Sequence, residues 1–152
     1  MTQINWILKP FDNLTLKELY EILALRTEVF VVEQNCPFQD QDGKKDYQSF
    51  HLIGKNIDNE LVAYSRILKP GLAFEYASIG RVVNSPKYRG QNIGKILMEE
   101  SIKTVYDLYG KVPIQIGAQY YLLKFYEAFG FNICSEIYLE DNIEHIEMVK
   151  MP

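Results

Sequence analysis

Apolar and polar residues follow one another with two different periods along the chain, and each change of period marks an element. "INWILKPF" predicts a first strand. "LTLKELYEILALRTEVFVVEQ" carries Leu16, Leu19, Leu23 and Phe30 on one row and Ile22, Leu25 and Val29 on a second. So wide an apolar surface predicts a long, well-buried helical region, broken near Arg26. "NCPFQDQDGKKDYQS" is polar and punctuated by Pro37 and Gly43, which makes it a loop. Two β runs follow, "FHLIGKN" and "ELVAYSRIL", linked hairpin-fashion by "IDN", and "EYASIGRVVN" continues them as a further strand. Ile93, Ile96, Leu97, Ser101, Thr104, Val105 and Leu108 then share one helical face that ends at Gly110, a residue suited to a helix C-terminus. "KVPIQIG" reads as a short strand and "QYYLLKFYEAFG" as a helix closed by Gly130. "FNICSEIYL" and "IEHIEMVKM" read as two closing strands.

This order predicts a mixed α/β domain, its sheet antiparallel in part and flanked by helices. With 152 residues, and no repeat or flexible linker, one domain over residues 1–152 is expected. A net charge of -4 leaves no positive field for a nucleic acid backbone, so nucleic acid is not an expected partner. The N-terminus lacks the basic start and long apolar run of a signal peptide, and no segment reaches the ~20 apolar residues of a membrane span. A soluble, cytoplasmic protein with no membrane partner is expected. Cys36 and Cys134 have neither disulfide-framework nor metal-ligand spacing, and no metal site is expected.

The candidate chemistry lies in "SPKYRGQNIGK", between a strand and a helix. A helix N-terminus offers unpaired N–H groups and a positive dipole end to an anion. Gly90 and Gly94 let a ligand approach the backbone, and Arg89 and Lys95 add positive charge. On its own the pattern serves equally well for a turn and a close helix–strand contact. The dinucleotide and Walker A fingerprints both fail: the two glycines have the wrong spacing, and Lys95 is followed by Ile96.

"RGQNIG" resembles the pyrophosphate loop of the GNAT acyl-CoA-dependent N-acetyltransferases, Q/R-x-x-G-x-G/A, with Asn92 in place of the middle glycine. Asn is the non-glycine residue that best tolerates a left-handed backbone, so the loop shape is expected to survive. "AQYYLLKFYEAFGF" resembles the family's second signature, with Tyr126 at its tyrosine position ahead of Phe129, Gly130 and Phe131. "LRTEVFVVEQNCPFQDQD", "IGRVV" and "YLEDNIEHIEM" look specifically like the ElaA-type subgroup. The resemblance extends along the whole chain.

It implies a GNAT fold in which the fourth and fifth strands splay apart around acetyl-CoA. The cofactor-binding residues implied are Val82, Val83, Asn84, Arg89, Gly90, Gln91, Asn92, Ile93, Gly94, Lys95 and Gln119. The activity implied is transfer of acetyl to a primary amine on a small molecule or peptide. Tyr126 is expected to protonate the leaving thiolate. Glu33 and His51 are the candidate general bases, with His145 a third; each is otherwise an ion-paired or hydrogen-bonded structural residue. Asp40, Asp42 and Asp46 read either as an acidic lip for a cationic amine or as a solvated loop. A homodimer through exposed C-terminal strands is a further expectation. The alternative function is a catalytically inactive acyl-CoA-binding or protein-interaction module on the same fold.

Overall fold

The computed structural model describes residues 3–152. Four strands, β1 (Asn5–Pro10), β2 (Phe50–Lys55), β3 (Leu61–Leu68) and β4 (Ser78–Asn84), form an antiparallel sheet in the order β1-β2-β3-β4. β2 and β3 are buried along nearly their whole length, which explains why they read as continuous apolar runs rather than alternating ones. Helix α1 (Leu16–Arg26) covers one face through Ile22 and Leu25, packing on Ile53, Tyr64 and Val83. Helix α3 (Ile93–Tyr109) covers the other through Ile93, Leu97, Met98 and Val105.

A second antiparallel sheet joins β5 (Ile114–Gln119), β8 (Ile143–Lys150) and β6 (Phe131–Ile133), with β7 (Tyr138–Glu140) also pairing β8. Helix α4 (Leu123–Glu127) follows β5 and a 3-10 turn. The two sheets meet at one parallel bridge, Ala77 to Ile114, reinforced by the Gln115 N–H donating to Ala77 O at 2.9 Å. Beyond that bridge no ladder joins β4 to β5 among the described residues, and the strands diverge.

Three boundaries differ from the sequence reading. The helix does break at Arg26, but into π-helical turns over Thr27–Glu33, with the Gln34 N–H donating to Val29 O and that of Cys36 to Val31 O. This stretch holds Thr27, Val29, Val31 and Val32, whose β-branching crowds a regular helical turn. "FNICSEIYL" is not one strand: β6 and β7 are separated by residues 134–137, where Ser135 Oγ takes the Glu147 N–H at 2.9 Å. "EYASIGRVVN" enters the sheet only at Ser78.

The aspartates of the 34–47 loop are not a free acidic lip, although many residues of the loop are exposed. They are clamped by arginines from three elements, and the loop runs into helix α2 (Lys45–Gln48). Arg26 Nε donates to Asp40 Oδ2 at 2.7 Å, and its Nη1 donates to Asp46 Oδ1 at 2.9 Å. Arg66 Nη1 donates to Asp42 Oδ2 at 2.6 Å and to Asp46 Oδ1 at 3.0 Å. Arg81 grips Asp40 from the other side, Nε to Oδ1 at 2.9 Å and Nη2 to the backbone O at 2.9 Å. Arg81 has φ 49, and the β3–β4 register slips between Tyr64 and Arg66, so one extra β4 residue bulges there. A left-handed non-glycine residue costs about 1–2 kcal/mol. The two bonds to Asp40 offset that cost.

Burial alone would raise the Asp42 and Asp46 carboxyls. Backbone N–H groups and Arg66 hold Asp42 well below the usual range, and Arg26 and Arg66 lower the Asp46 pKa. Burial also lowers the pKa of His51. His51 Nε2–H donates to Asp46 O at 2.9 Å, and Tyr64 O–H donates to Nδ1 at 2.7 Å, which fixes a neutral ring. All three groups bind protons more readily in the unfolded chain, so each contributes stability that acid removes. The urea midpoint should be flat between about pH 7 and 8, decline from about 6.5 as unfolded His51 protonates, and fall more steeply below about 4. A midpoint that is constant down to pH 4 would contradict this assignment.

Candidate active site

Where β4 and β5 diverge, a cleft of about 820 Å³ opens. β4 lines it from Ile79 to Asn84, β5 through Ile116, Gly117 and Gln119, and the π-helical segment through Val29, Phe30 and Glu33. A second cleft of about 520 Å³ lies over the start of α3 and shares Asn84 and Arg89 with the first. Together they form a groove from the helix N-terminus into the splay.

Of the residues expected at a cofactor, Val82, Val83, Asn84, Arg89 and Gln119 line the larger cleft. Gly90, Asn92, Ile93, Gly94 and Lys95 line the smaller; Gln91 lines neither. Gly90 (φ +84) and Asn92 (φ 63) are both left-handed, so the asparagine adopts the backbone that a glycine would. The turn aims the start of α3 at the groove, where its first N–H groups lack intrahelical partners. A Cβ at Gly94 would stand 3.8 Å from Asn84 Oδ1 and from Phe125 Cζ, an ordinary contact. Internal packing therefore does not require this glycine, and its bare Cα leaves room in the groove for a phosphate chain.

Two pairs tie the π-helical segment and its end across the splay. Arg89 donates from both terminal nitrogens to the Glu33 carboxylate, which lowers the Glu33 pKa. Gln34 and Gln119 exchange amide hydrogen bonds at 3.1 and 3.2 Å. Tyr126 on α4 is 7% exposed, edge-on to Phe125 and Phe131. Tyr126 lines the larger cleft, and its hydroxyl has no hydrogen-bond partner among the described residues. Burial, with Tyr121 nearby, raises its pKa, so it stays protonated at neutral pH.

The three base candidates separate on geometry. His51 lines neither cleft and has both ring nitrogens engaged inside the fold. Glu33 lines the cleft but is held by Arg89. His145, opposite Gln119 in the β5–β8 ladder, lines the cleft. Its Nδ1–H donates to Ile143 O at 2.8 Å, so the neutral ring carries its lone pair on Nε2, 3.4 Å from Glu140. Cys36 ties its loop to the β7–β8 turn, Sγ–H to Asp141 O at 3.3 Å.

Arg66, Arg81 and Gly80 also line the cleft, and the sequence reading singled out none of them. Their signal is a charge inside an apolar run, as in "ELVAYSRIL". No group of three or more His, Cys, Asp or Glu among the described residues is arranged to hold a metal. No helix among them is long and apolar enough to cross a membrane.

Residues 26–152 match the family profile described as the acetyltransferase (GNAT) domain. Protein ElaA of Escherichia coli is 43% identical over 148 residues, 97% of this chain and 96% of that protein. Its crystal structure superposes with a TM-score of 0.88 over 97% of this chain and 99% of that one. An acyl-CoA N-acyltransferase from Pseudomonas aeruginosa is 43% identical, with a TM-score of 0.91 and the same coverage. The chain belongs to the GNAT acetyltransferase family.

The left-handed turn at Asn92 is testable without any ligand. Asn92→Val should lose about 1–2 kcal/mol in urea unfolding, whereas Asn92→Gly should stay within roughly 0.5 kcal/mol of the parent. Equal losses would show that this backbone conformation does not form.

Proposed function

We propose that the cleft between β4 and β5 transfers an acetyl group from acetyl-CoA to a primary amine by direct attack on the thioester. One observation carries this reading: a strand edge without a ladder partner, at β4, faces a buried tyrosine whose hydroxyl has no partner and stays protonated.

The groove fits the cosubstrate. The α3 N-terminus, Arg89 and Lys95 would hold the pyrophosphate, with Gly90, Asn92, Ile93 and Gly94 forming the cradle and Gln91 beside it. The free edge at Val82, Val83 and Asn84 would pair with the amide-bearing arm, and Gln119 would face it from β5. When bound, acetyl-CoA supplies an activated acetyl carbonyl. His145 Nε2 would take a proton from the incoming amine, and Glu140 would pair with the imidazolium so formed. The new bond joins nitrogen to the carbonyl carbon, the carbon–sulfur bond breaks, and Tyr126 gives its proton to the sulfur. The N–H groups of the β4 bulge would stabilise the charge on the carbonyl oxygen.

Arg89 cannot serve Glu33 and a phosphate equally, so the two compete for it. In calorimetric titration with acetyl-CoA, Arg89→Ala should weaken binding. Glu33→Gln should tighten it by up to about fivefold, the worth of an exposed ion pair. Tyr126→Phe should keep cosubstrate affinity and lose about 10²–10⁴-fold in turnover. His145→Gln should lower turnover and keep acetyl-CoA affinity. Failure of acetyl-CoA to bind the parent protein would end the enzyme reading, and full turnover by Tyr126→Phe would end the role given to that hydroxyl.

A further inference from the structure

One guanidinium in the cleft is half used. Arg66 is 4% exposed, and Nη1 makes both of its bonds, to Asp42 and Asp46. Nε is buried without a partner, and Nη2 makes no hydrogen bond within the described chain. Nε–H and Nη2–H form one flat edge of the guanidinium, the edge that receives the two oxygens of a carboxylate side by side. Leaving such a donor buried and unmatched costs about 1–3 kcal/mol.

The edge lies beside Gly80, the direct β-ladder partner of Arg66. A Cβ at Gly80 would stand 3.8 Å from Nη2 and 3.9 Å from Nε. Both are ordinary contacts, as is the third, Leu68 Cδ1 at 3.7 Å, so a methyl group would fit against this side of the guanidinium without displacing a neighbour. With glycine at this position no side chain of residue 80 stands against Nε and Nη2. Arg81 adds a further nitrogen, since its Nη1 is unused while Nε and Nη2 hold Asp40. On the opposite wall, Glu140 and Asp141 present carboxylates beside His145. The cleft is thus anionic where the amine is to be deprotonated and offers cationic donors along β4.

We infer that the acceptor is a free amino acid or a closely similar zwitterion, its carboxylate received by the Nε–Nη2 edge of Arg66 over Gly80 and its amine directed to His145. The inference rests on the acetyl-transfer reading and specifies its acceptor. Arg66 and His145 line the same cleft. Because Nε is buried, Nη2 would be met first, and the guanidinium would have to turn for Nε to reach the second oxygen.

The test uses five L-amino acids with acidic, basic, aliphatic, aromatic and hydroxyl side chains, each paired with its α-carboxamide. Turnover is read as CoA release, and binding as calorimetric titration of the CoA-loaded protein. At least one amino acid should exceed its amide by about ten- to a hundredfold in kcat/KM, the worth of hydrogen bonds to a charged group. Gly80→Ala, which introduces no close contact, should erase that preference through KM while leaving acetyl-CoA affinity unchanged. Arg66→Lys should do the same, although its ties to Asp42 and Asp46 make it the less clean variant. Equal handling of acid and amide, a preference that survives Gly80→Ala, or no binding by any amino acid would each overturn the inference. Acetyl-CoA binding with CoA release to other amines would leave the enzyme reading intact, whereas absence of acetyl-CoA binding would remove both.

Discussion

Asp40 sits at 3% exposure between two guanidinium groups, and the shape of the cleft follows from that arrangement. A carboxylate so far from water is tolerable only when every lone pair is met. Here Arg26 takes one side-chain oxygen, Arg81 takes the other, and both also donate to the backbone carbonyl. Removing any one partner would leave a buried charge uncompensated, at a cost of about 3–5 kcal/mol. The arrangement therefore fixes three things together: the end of α1, the path of the 34–47 loop and the backbone of β4 at Arg81.

The last of these reaches the chemistry. Arg81 holds Asp40 from a left-handed backbone, and the bulge there shifts the residues that follow it relative to β3. Val82 and Val83 then line a cleft with no neighbouring strand, because β5 leaves after a single bridge at Ala77. Across that opening the Glu33–Arg89 and Gln34–Gln119 pairs connect the π-helical turns to both walls. The same ion network uses up Nη1 of Arg66 and leaves its other edge facing Gly80. A set of charges that reads as structural thus determines which donors remain for a substrate.

The order of elements was legible because period and punctuation carry it. β2 and β3 announce themselves as apolar runs, α3 as a face closed by Gly110, and the break in the first helix falls at Arg26 as read. The split of the penultimate strand was not legible, because Ser135 capturing a backbone N–H of β8 is a tertiary event without a local signal. The three aspartates were visible as charges, but their partners lie 14 to 41 residues away, so lip and solvated loop were the only local readings. The arginines were the missed clue, since Arg26 and Arg66 interrupt apolar runs where an unpaired charge would be untenable. Among the base candidates, the sequence reading set His51 ahead of His145, whereas His51 is sealed under α2 and His145 is open to the cleft.

Asp40→Asn separates the structural from the positioning role of the ion network, because Asp40 lines neither cleft and the substitution keeps its shape while removing its charge. The measurement is acetyl-CoA affinity by calorimetry, on protein that circular dichroism shows to be folded. If the Arg26–Asp40–Arg81 arrangement sets the geometry of β4, affinity should fall by about tenfold, the worth of one charge-assisted hydrogen bond, without any contact having been removed. A folded Asp40→Asn protein that binds acetyl-CoA as tightly as the parent would show that β4 holds its bulge unaided, and that the buried ion network serves stability alone.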